Sequence, residues 1–329
     1  MSRTIIFSKA GGPEVLKFVE NNVPAPAANE VRIKVQAIGI NRAEAMWRVD
    51  DYIEPVQFPA GLGYEAAGVA EAIGSDVQGV KVGDKVNVIP SFSFTQYGTY
   101  GEVITMPDYA VVPHPKNLSM EEAASVWMMF ITAYGALIAD AKVGAGDFVL
   151  IPAASSSVGL AAIQIARYAG ASAIALTRTA AKKQQLLDAG ASHVIVTDDS
   201  DLLAEVQRIT DGAGARVVFD PVGGANFGKL ISALSFQGIA YIYGALSPDA
   251  TELPVLEMIA KMVTVKAHNV GGTSGVAESR KAAVEYVLKG LESGALKPVI
   301  DRVFRFDEMR EVHRYLEQNG QFGKIVVTV

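Results

Sequence analysis

Cysteine is missing from all 329 residues. That absence excludes disulfides, thiolate zinc sites, iron–sulfur clusters and a cysteine nucleophile together. Histidine is scarce. The four present, His114, His193, His268 and His313, are scattered without metal-ligand spacing, and each reads as a surface or packing residue. No basic run interrupts a chain of net charge −6, which argues against a nucleic-acid partner. No apolar stretch is expected to reach the length of a membrane span. The start, Met1-Ser2-Arg3-Thr4-Ile5-Ile6-Phe7, is already strand-like and lacks the features of a signal peptide. The expectation is a cytoplasmic protein, with no internal repeat and no low-complexity tract.

Half of the residues are hydrophobic, enough at this length for two domains with sizeable cores. Up to about residue 120, short runs such as Thr4–Phe7, Leu16–Val19, Val31–Ile40, Val69–Ile73, Lys85–Ile89, Glu102–Thr105 and Ala110–Val112 are separated by Gly- and Pro-rich turns. Val31, Ile33 and Val35 alternate with Arg32 and Lys34, the pattern of a half-buried strand. Glu121–Ala139 can form one or two helices. Then come six apolar runs, Phe148–Ile151, Ala173–Leu176, His193–Val196, Val217–Asp220, Ile239–Tyr243 and Val263–Val265, alternating with helical patterns. Apolar runs between helices argue for a parallel sheet covered on both faces. The last residues predict a helix over Ala277–Leu291, a strand over Val303–Phe306, a helix over Met309–Gln318 and a closing strand over Lys324–Val329. The expected architecture is α/β: a discontinuous β-rich domain (1–122 and 269–329) around a doubly wound Rossmann domain (123–268).

The organising stretch is the first of the six runs and its continuation, Pro152-Ala153-Ala154-Ser155-Ser156-Ser157-Val158-Gly159. It reads strand, tight turn, helix. Such a turn aims free backbone N–H groups and a helix dipole at one point, where phosphate fits. Ala153, Ser156 and Gly159 stand where a Rossmann turn usually has Gly-x-Gly-x-x-Gly, so one glycine remains. An ordinary strand-to-helix turn with small residues is the competing reading. Past the second strand there is no acid to accept from a ribose 2′-hydroxyl; Thr177, Arg178, Thr179 and Lys182 offer donors and positive charge instead, as a 2′-phosphate requires. The cofactor expected is therefore NADPH. Candidate residues are Ser156, Ser157, Val158 and Gly159 at the turn, Thr177, Arg178, Thr179 and Lys182 beside it, and Gly223, Tyr243, Gly244, Leu246 and Ser247 at later strand ends.

The whole chain resembles the medium-chain dehydrogenase/reductase superfamily, in its zinc-independent quinone oxidoreductase branch. The resemblance rests on Gly11–Leu16, Gly39–Glu44, Gly61–Gly68, Thr132–Leu137, Ala153–Gly159, Asp220–Gly224 and Gly323–Val326. It implies a GroES-like catalytic domain, a Rossmann domain with a cleft between them, Thr132 as a further cofactor residue, and a homodimer. It also implies reduction of quinones or α,β-unsaturated carbonyls. The zinc enzymes of the superfamily carry Gly-His-Glu where this chain has Gly63-Tyr64-Glu65, and their first cysteine ligand falls near Asn41. Without zinc to polarise a carbonyl, a conjugated acceptor steadied by hydrogen bonds is the easier substrate.

Asn41, Tyr52 and Tyr64 are the candidate catalytic residues: a phenol donates to the acceptor oxygen and Asn41 orients substrate or nicotinamide. Tyr64 has a competing reading as a space-filling aromatic, Trp47 and Met46 read as core or pocket, and Glu65 as structural or as a partner supporting the site. Phe92, Phe94 and Tyr97 are expected to roof the cleft or form a subunit contact. Two other readings remain: a zinc-type alcohol or aldehyde dehydrogenase, and an NADPH-binding sensor without turnover.

Overall fold

The structure is a computed structural model that describes residues 1–329. Strands β1 (Ser2–Ile6) and β2 (Lys17–Asn21) pair antiparallel as a small sheet of their own. The long β3 (Glu30–Ile40) buries Val31, Ile33 and Val35, the alternation seen in the sequence. Helix α1 (Arg42–Arg48) leads to β4 (Glu65–Ile73), β5 (Lys85–Val88), β6 (Val103–Pro107) and β7 (Val111–Pro113). β3 pairs antiparallel with β4 and β6, β4 with β5, and β5 with β7. Two register shifts between β3 and β4 curve this sheet.

Met120–Asp140 departs from expectation. By length and composition it could cross a membrane, with a mean hydropathy of 1.4, but 83% of that window is buried inside the protein. The segment is divided into α2 (Met120–Ala123), α3 (Trp127–Tyr134) and a π-helical stretch, Gly135–Asp140. Its apolarity is that of a core helix.

Strand and helix then alternate: β8 (Phe148–Ile151), α4 (Ser157–Tyr168), β9 (Ser172–Thr177), α5 (Lys183–Asp188), β10 (His193–Val196), α6 (Leu202–Ile209), β11 (Ala215–Asp220), α7 (Phe227–Ser232), β12 (Leu234–Ile242), α8 (Val255–Lys261) and β13 (Thr264–Ala267). Every pairing is parallel, in the order β10-β9-β8-β11-β12-β13. The winding runs outward from β8 and β11, the switch point of a Rossmann sheet. Leu150, Ile174, Val218 and Ala240 from four strands pack with Val206, Phe227, Leu230 and Ile231 from the helices. β12 starts earlier than its apolar run suggests. Gln237, at φ 58°, is left-handed inside it and Phe236 is 63% exposed, so its first half lacks the buried-strand pattern.

The chain closes with α9 (Gly271–Ser274), α10 (Ala277–Ser293), β14 (Ile300–Arg305), α11 (Met309–Glu317) and β15 (Lys324–Thr328). β15 pairs antiparallel with β3, returning the tail to the first sheet. Two compact units result: 1–129 with 274–292 and 297–329, and 130–273 with 293–296. The first is the GroES-like sheet domain and the second the Rossmann domain.

Candidate active site

In the second unit, β8 ends at Ile151 and α4 begins at Ser157, with Ser156 as its cap; Ser156 Oγ accepts from Gly159 N–H at 3.1 Å. Ala153 sits at φ 46°, a left-handed conformation that glycine adopts more readily. The turn therefore keeps a glycine-like shape without the first glycine. A Cβ on Gly159 would lie 2.7 Å from the carbonyl oxygens of both Ala153 and Ala154. The one glycine retained stands where helix meets strand too closely for any side chain. Ser157 and Val158 occupy the first turn of α4, where backbone N–H groups have no helical partner.

Lys182 Nζ donates to Ser155 Oγ at 3.2 Å, which holds the ammonium against the turn. Arg178 and Thr179 are exposed just beyond β9, and Thr177 Oγ1 donates to the Thr179 carbonyl at 3.2 Å. The end of β10 brings Asp198 alongside: its N–H donates to the Arg178 carbonyl at 3.2 Å. At the end of β11, the Asp220 carboxylate accepts from Val222 and Gly223 N–H, at 3.1 and 2.7 Å. Leu246 and Ser247 donate their N–H groups to the Pro221 and Val222 carbonyls at 3.1 and 2.9 Å, so the loops after β11 and β12 lie side by side. A Cβ on Gly224, at φ 69°, would fall 2.2 Å from Ser247 Oγ.

The Tyr243 ring stacks on Phe219 at 4.1 Å between centroids. Its buried hydroxyl faces Ser156 but falls short of a well-formed hydrogen bond, and burial pushes its pKa up. An under-satisfied hydroxyl above the capped turn, with Lys182 beside it, fits the phosphates and ribose of the expected dinucleotide. Gly244 follows Tyr243 in the loop after β12, where a Cβ would meet the Pro221 carbonyl oxygen at 2.6 Å. Thr132 lies on α3, its carbonyl accepting from His268 Nε2 at 2.9 Å; burial holds His268 below its usual pKa.

The first unit holds the other group. Asn41 precedes α1, and Tyr64 precedes β4. Asn41 is 7% exposed and its amide is committed inward: Nδ2 donates to Glu65 Oε1 at 3.1 Å and Glu44 Oε1 at 3.2 Å, while Oδ1 accepts from Lys324. It anchors a cluster and is not an open donor for a substrate. Glu65 also accepts from Lys324 and from the N–H groups of Trp127 and Met128, at 3.1 and 3.0 Å, at the start of α3. Lys324 and Glu65 form a fully buried ion pair.

Tyr64, 4% exposed, points its hydroxyl at that of half-buried Tyr52, 3.4 Å away. Burial raises the pKa of both phenols, so both keep their protons at neutral pH. Tyr64 also stacks on Phe94 at 3.8 Å, and Phe94 packs on Trp47 at 5.2 Å. Phe92 and Phe94 are thus buried within their own unit and pack against Tyr64. Tyr97 donates to Glu30 at 3.0 Å. Trp47 is core, its indole N–H donating to the Gly61 carbonyl at 3.0 Å. A surface hollow of about 220 Å³ borders Phe94, Tyr97 and Tyr100, yet Asn41, Tyr52 and Tyr64 do not line it.

The structure brings Tyr52 and Tyr64 together and sets Asn41 behind them. The sequence reading placed Glu44 and Lys324 in motifs of the resemblance but assigned neither a role at the site. Glu44 carried a signal, since Asn41-Arg42-Ala43-Glu44 has capping-box spacing. The pairing of Lys324 carried none, since Lys324 stands 283 residues from Asn41. No group of three or more His, Cys, Asp or Glu side chains is arranged to hold a metal ion.

Comparison with known proteins places these features. Residues 27–116 match the alcohol dehydrogenase GroES-like domain family, and residues 157–288 match the zinc-binding dehydrogenase family. A quinone oxidoreductase of Escherichia coli is 31% identical over 98% of each chain. A solved structure of Escherichia coli quinone oxidoreductase complexed with NADPH superposes at a TM-score of 0.89, with 30% identity over 99% of this chain and 100% of that one. Another, described as an NAD-dependent alcohol dehydrogenase, superposes at 0.92 with 32% identity over 99% of each chain.

Proposed function

The chain belongs to the medium-chain dehydrogenase/reductase superfamily, as an oxidoreductase among the quinone oxidoreductases, and we propose that it reduces a quinone or α,β-unsaturated carbonyl with NADPH and without a metal ion. The observation that carries this reading is the Tyr64–Tyr52 hydroxyl pair. By the resemblance, Tyr64 stands where the zinc enzymes of the superfamily carry a metal-ligating histidine.

Bound NADPH supplies the hydride. Backbone N–H groups of Ser157 and Val158 would hold its pyrophosphate, and Arg178 with Lys182 would hold the 2′-phosphate. Tyr64 donates to Tyr52, which leaves the Tyr52 hydrogen free to point at the acceptor oxygen. Charge arriving on that oxygen strengthens the bond, and the polarised chain of two hydroxyls strengthens it further. Because both phenol pKa values are raised, Tyr52 donates a hydrogen bond and keeps its proton. The product takes its proton from water. A conjugated acceptor suits such a site, since delocalisation lowers the demand on the donors.

NADH is the second reading for the donor, favoured by the neighbour described as NAD-dependent. Arg178 and Lys182 support NADPH over it. Stopped-flow oxidation of each dinucleotide with quinones, enals and simple aldehydes, on protein assayed for bound metal, tests the reading. Turnover of quinones or enals with NADPH in metal-free protein is expected. Binding without oxidation by any acceptor, or activity that tracks stoichiometric zinc, would sink it.

The homodimer is a further part of the proposal. β13 is the last strand of the parallel sheet, with one edge unpaired. Near it, Leu256, Ile259 and Met262 are 83%, 67% and 60% exposed. An open edge beside apolar surface is usually covered. Sedimentation should give twice the 34.8 kDa chain mass, reduced to that of one chain in L256E/I259E.

A further inference from the structure

Glu44 takes no part in the scheme above, yet one side chain joins the anchor Asn41 to the phenol Tyr64. It lies in α1 and is fully buried, whereas a helix-capping glutamate is ordinarily solvated. Its two carboxylate oxygens receive three donors: Asn41 N–H, Asn41 Nδ2 at 3.2 Å and Tyr64 N–H at 3.3 Å. The ionisable groups facing it are Lys324 from β15, Glu65 from β4, and the phenols of Tyr52, Tyr64 and Tyr100. Lys324 bonds to Glu65 and to Asn41, so its charge is answered by Glu65 and only partly serves Glu44.

Resting on the phenol-pair reading, we infer that Glu44 is a positioning residue for that pair: as a carboxylate it holds all three donors, and as a carboxylic acid it must release one. The reason is elementary, because protonation turns an acceptor oxygen into a donor facing other donors. Asn41 N–H holds Oε2, while Oε1 takes both Asn41 Nδ2 and Tyr64 N–H, so a proton on Oε1 leaves that oxygen one acceptor site and the longer bond there, from Tyr64 N–H, is given up. Burial raises the Glu44 pKa to about 7, with Glu65 adding to the rise and Lys324 and the Asn41 bonds opposing it. The change therefore falls in the neutral range. Hydride transfer is faster with Glu44 ionised, when Tyr64 is held and its hydroxyl meets Tyr52.

A purely capping role makes a different prediction, since Gln caps as Glu does. At saturating NADPH, kcat/KM of the wild-type protein for a quinone should rise about fivefold between pH 6 and 8.5, the worth of one hydrogen bond. E44Q, which keeps one acceptor and cannot ionise, should stay on the low plateau at every pH, with the loss in kcat and not in KM. An E44Q profile that retains the wild-type step overturns the inference.

The ionisation is also read without any variant, from the backbone amide shifts of Asn41 and Tyr64 in the intact protein. A shared step with a midpoint near pH 7 supports the inference, and flat shifts from pH 5.5 to 8.5 overturn it. Y52F separates the two layers. An amide step with Y52F as active as wild type sinks the phenol-pair reading, while an impaired Y52F with flat amides sinks the role of Glu44 alone.

Discussion

The two compact units treat charge in opposite ways. In the first, Glu44, Glu65, Arg48, Lys324 and His313 are each at most 1% exposed, and they bond to one another or to backbone. In the second, Asp220 is the one acidic or basic side chain so deeply buried, while Arg178 is exposed and Lys182 half-buried at the rim of the turn. The contrast follows from what each unit handles. On the proposed function a dinucleotide brings its own phosphates, and the cations at the surface of the second unit would meet them. The first unit keeps internal charges that answer each other beside its two phenol hydroxyls.

That contrast can be broken most severely at Lys324. K324M leaves two buried carboxylates without their cation, and should cost about 3–5 kcal/mol of stability. Urea unfolding measures the loss, and hydrogen exchange should confine it to β3, β4 and β15. A loss below 1 kcal/mol would mean that the buried cluster does not depend on its ammonium.

Next in size is a pH effect. A carboxyl raised in the fold ionises first in the unfolded chain, so folding stability falls as pH rises from 4.5 to about 7. Glu44 should contribute about 3 kcal/mol to that fall, and E44Q should remove its share. Wild-type activity should instead rise around pH 7, where that fall in stability ends. A stability difference between wild type and E44Q that is independent of pH would contradict the raised pKa.

Y52F should lower kcat/KM about a hundredfold, the order found on removing one preorganised donor to a developing oxyanion. The Kd for NADPH should be unchanged, a separation that titration calorimetry reads directly. In the second unit, R178A should weaken NADPH about tenfold or somewhat more, the worth of one charge-assisted bond, with NADH altered less than twofold. Equal weakening of both dinucleotides would remove Arg178 from the 2′-phosphate. S156A should cost about 1 kcal/mol through the lost helix cap.

The units also differ in how much of them the sequence shows. Phe148–Ile151 and His193–Val196 are strands with the bounds read from their runs, because a parallel strand covered on both faces is apolar along most of its length. The first half of β12 escaped, since Gln237 breaks that rule. In the first unit, Asn41 and Tyr64 stood out by residue type at motif positions, and Glu44 had its capping spacing. Nothing nearby in sequence says that Phe94 stacks on Tyr64, or that Lys324 reaches Glu65 across 259 residues. Side-chain pairing at such range leaves no local period to read.

By itself, the sequence determined the architecture and the dinucleotide turn. Both rest on local rules: apolar period, turn chemistry, and the absence of an acid where Arg178 stands. Only the tertiary structure decided that Asn41 is spent inside a buried cluster, that the aromatic loop supports Tyr64, and that Glu44 links the two. Those outcomes depend on which distant side chains share a water-free space, where an unanswered charge or donor is too costly to leave.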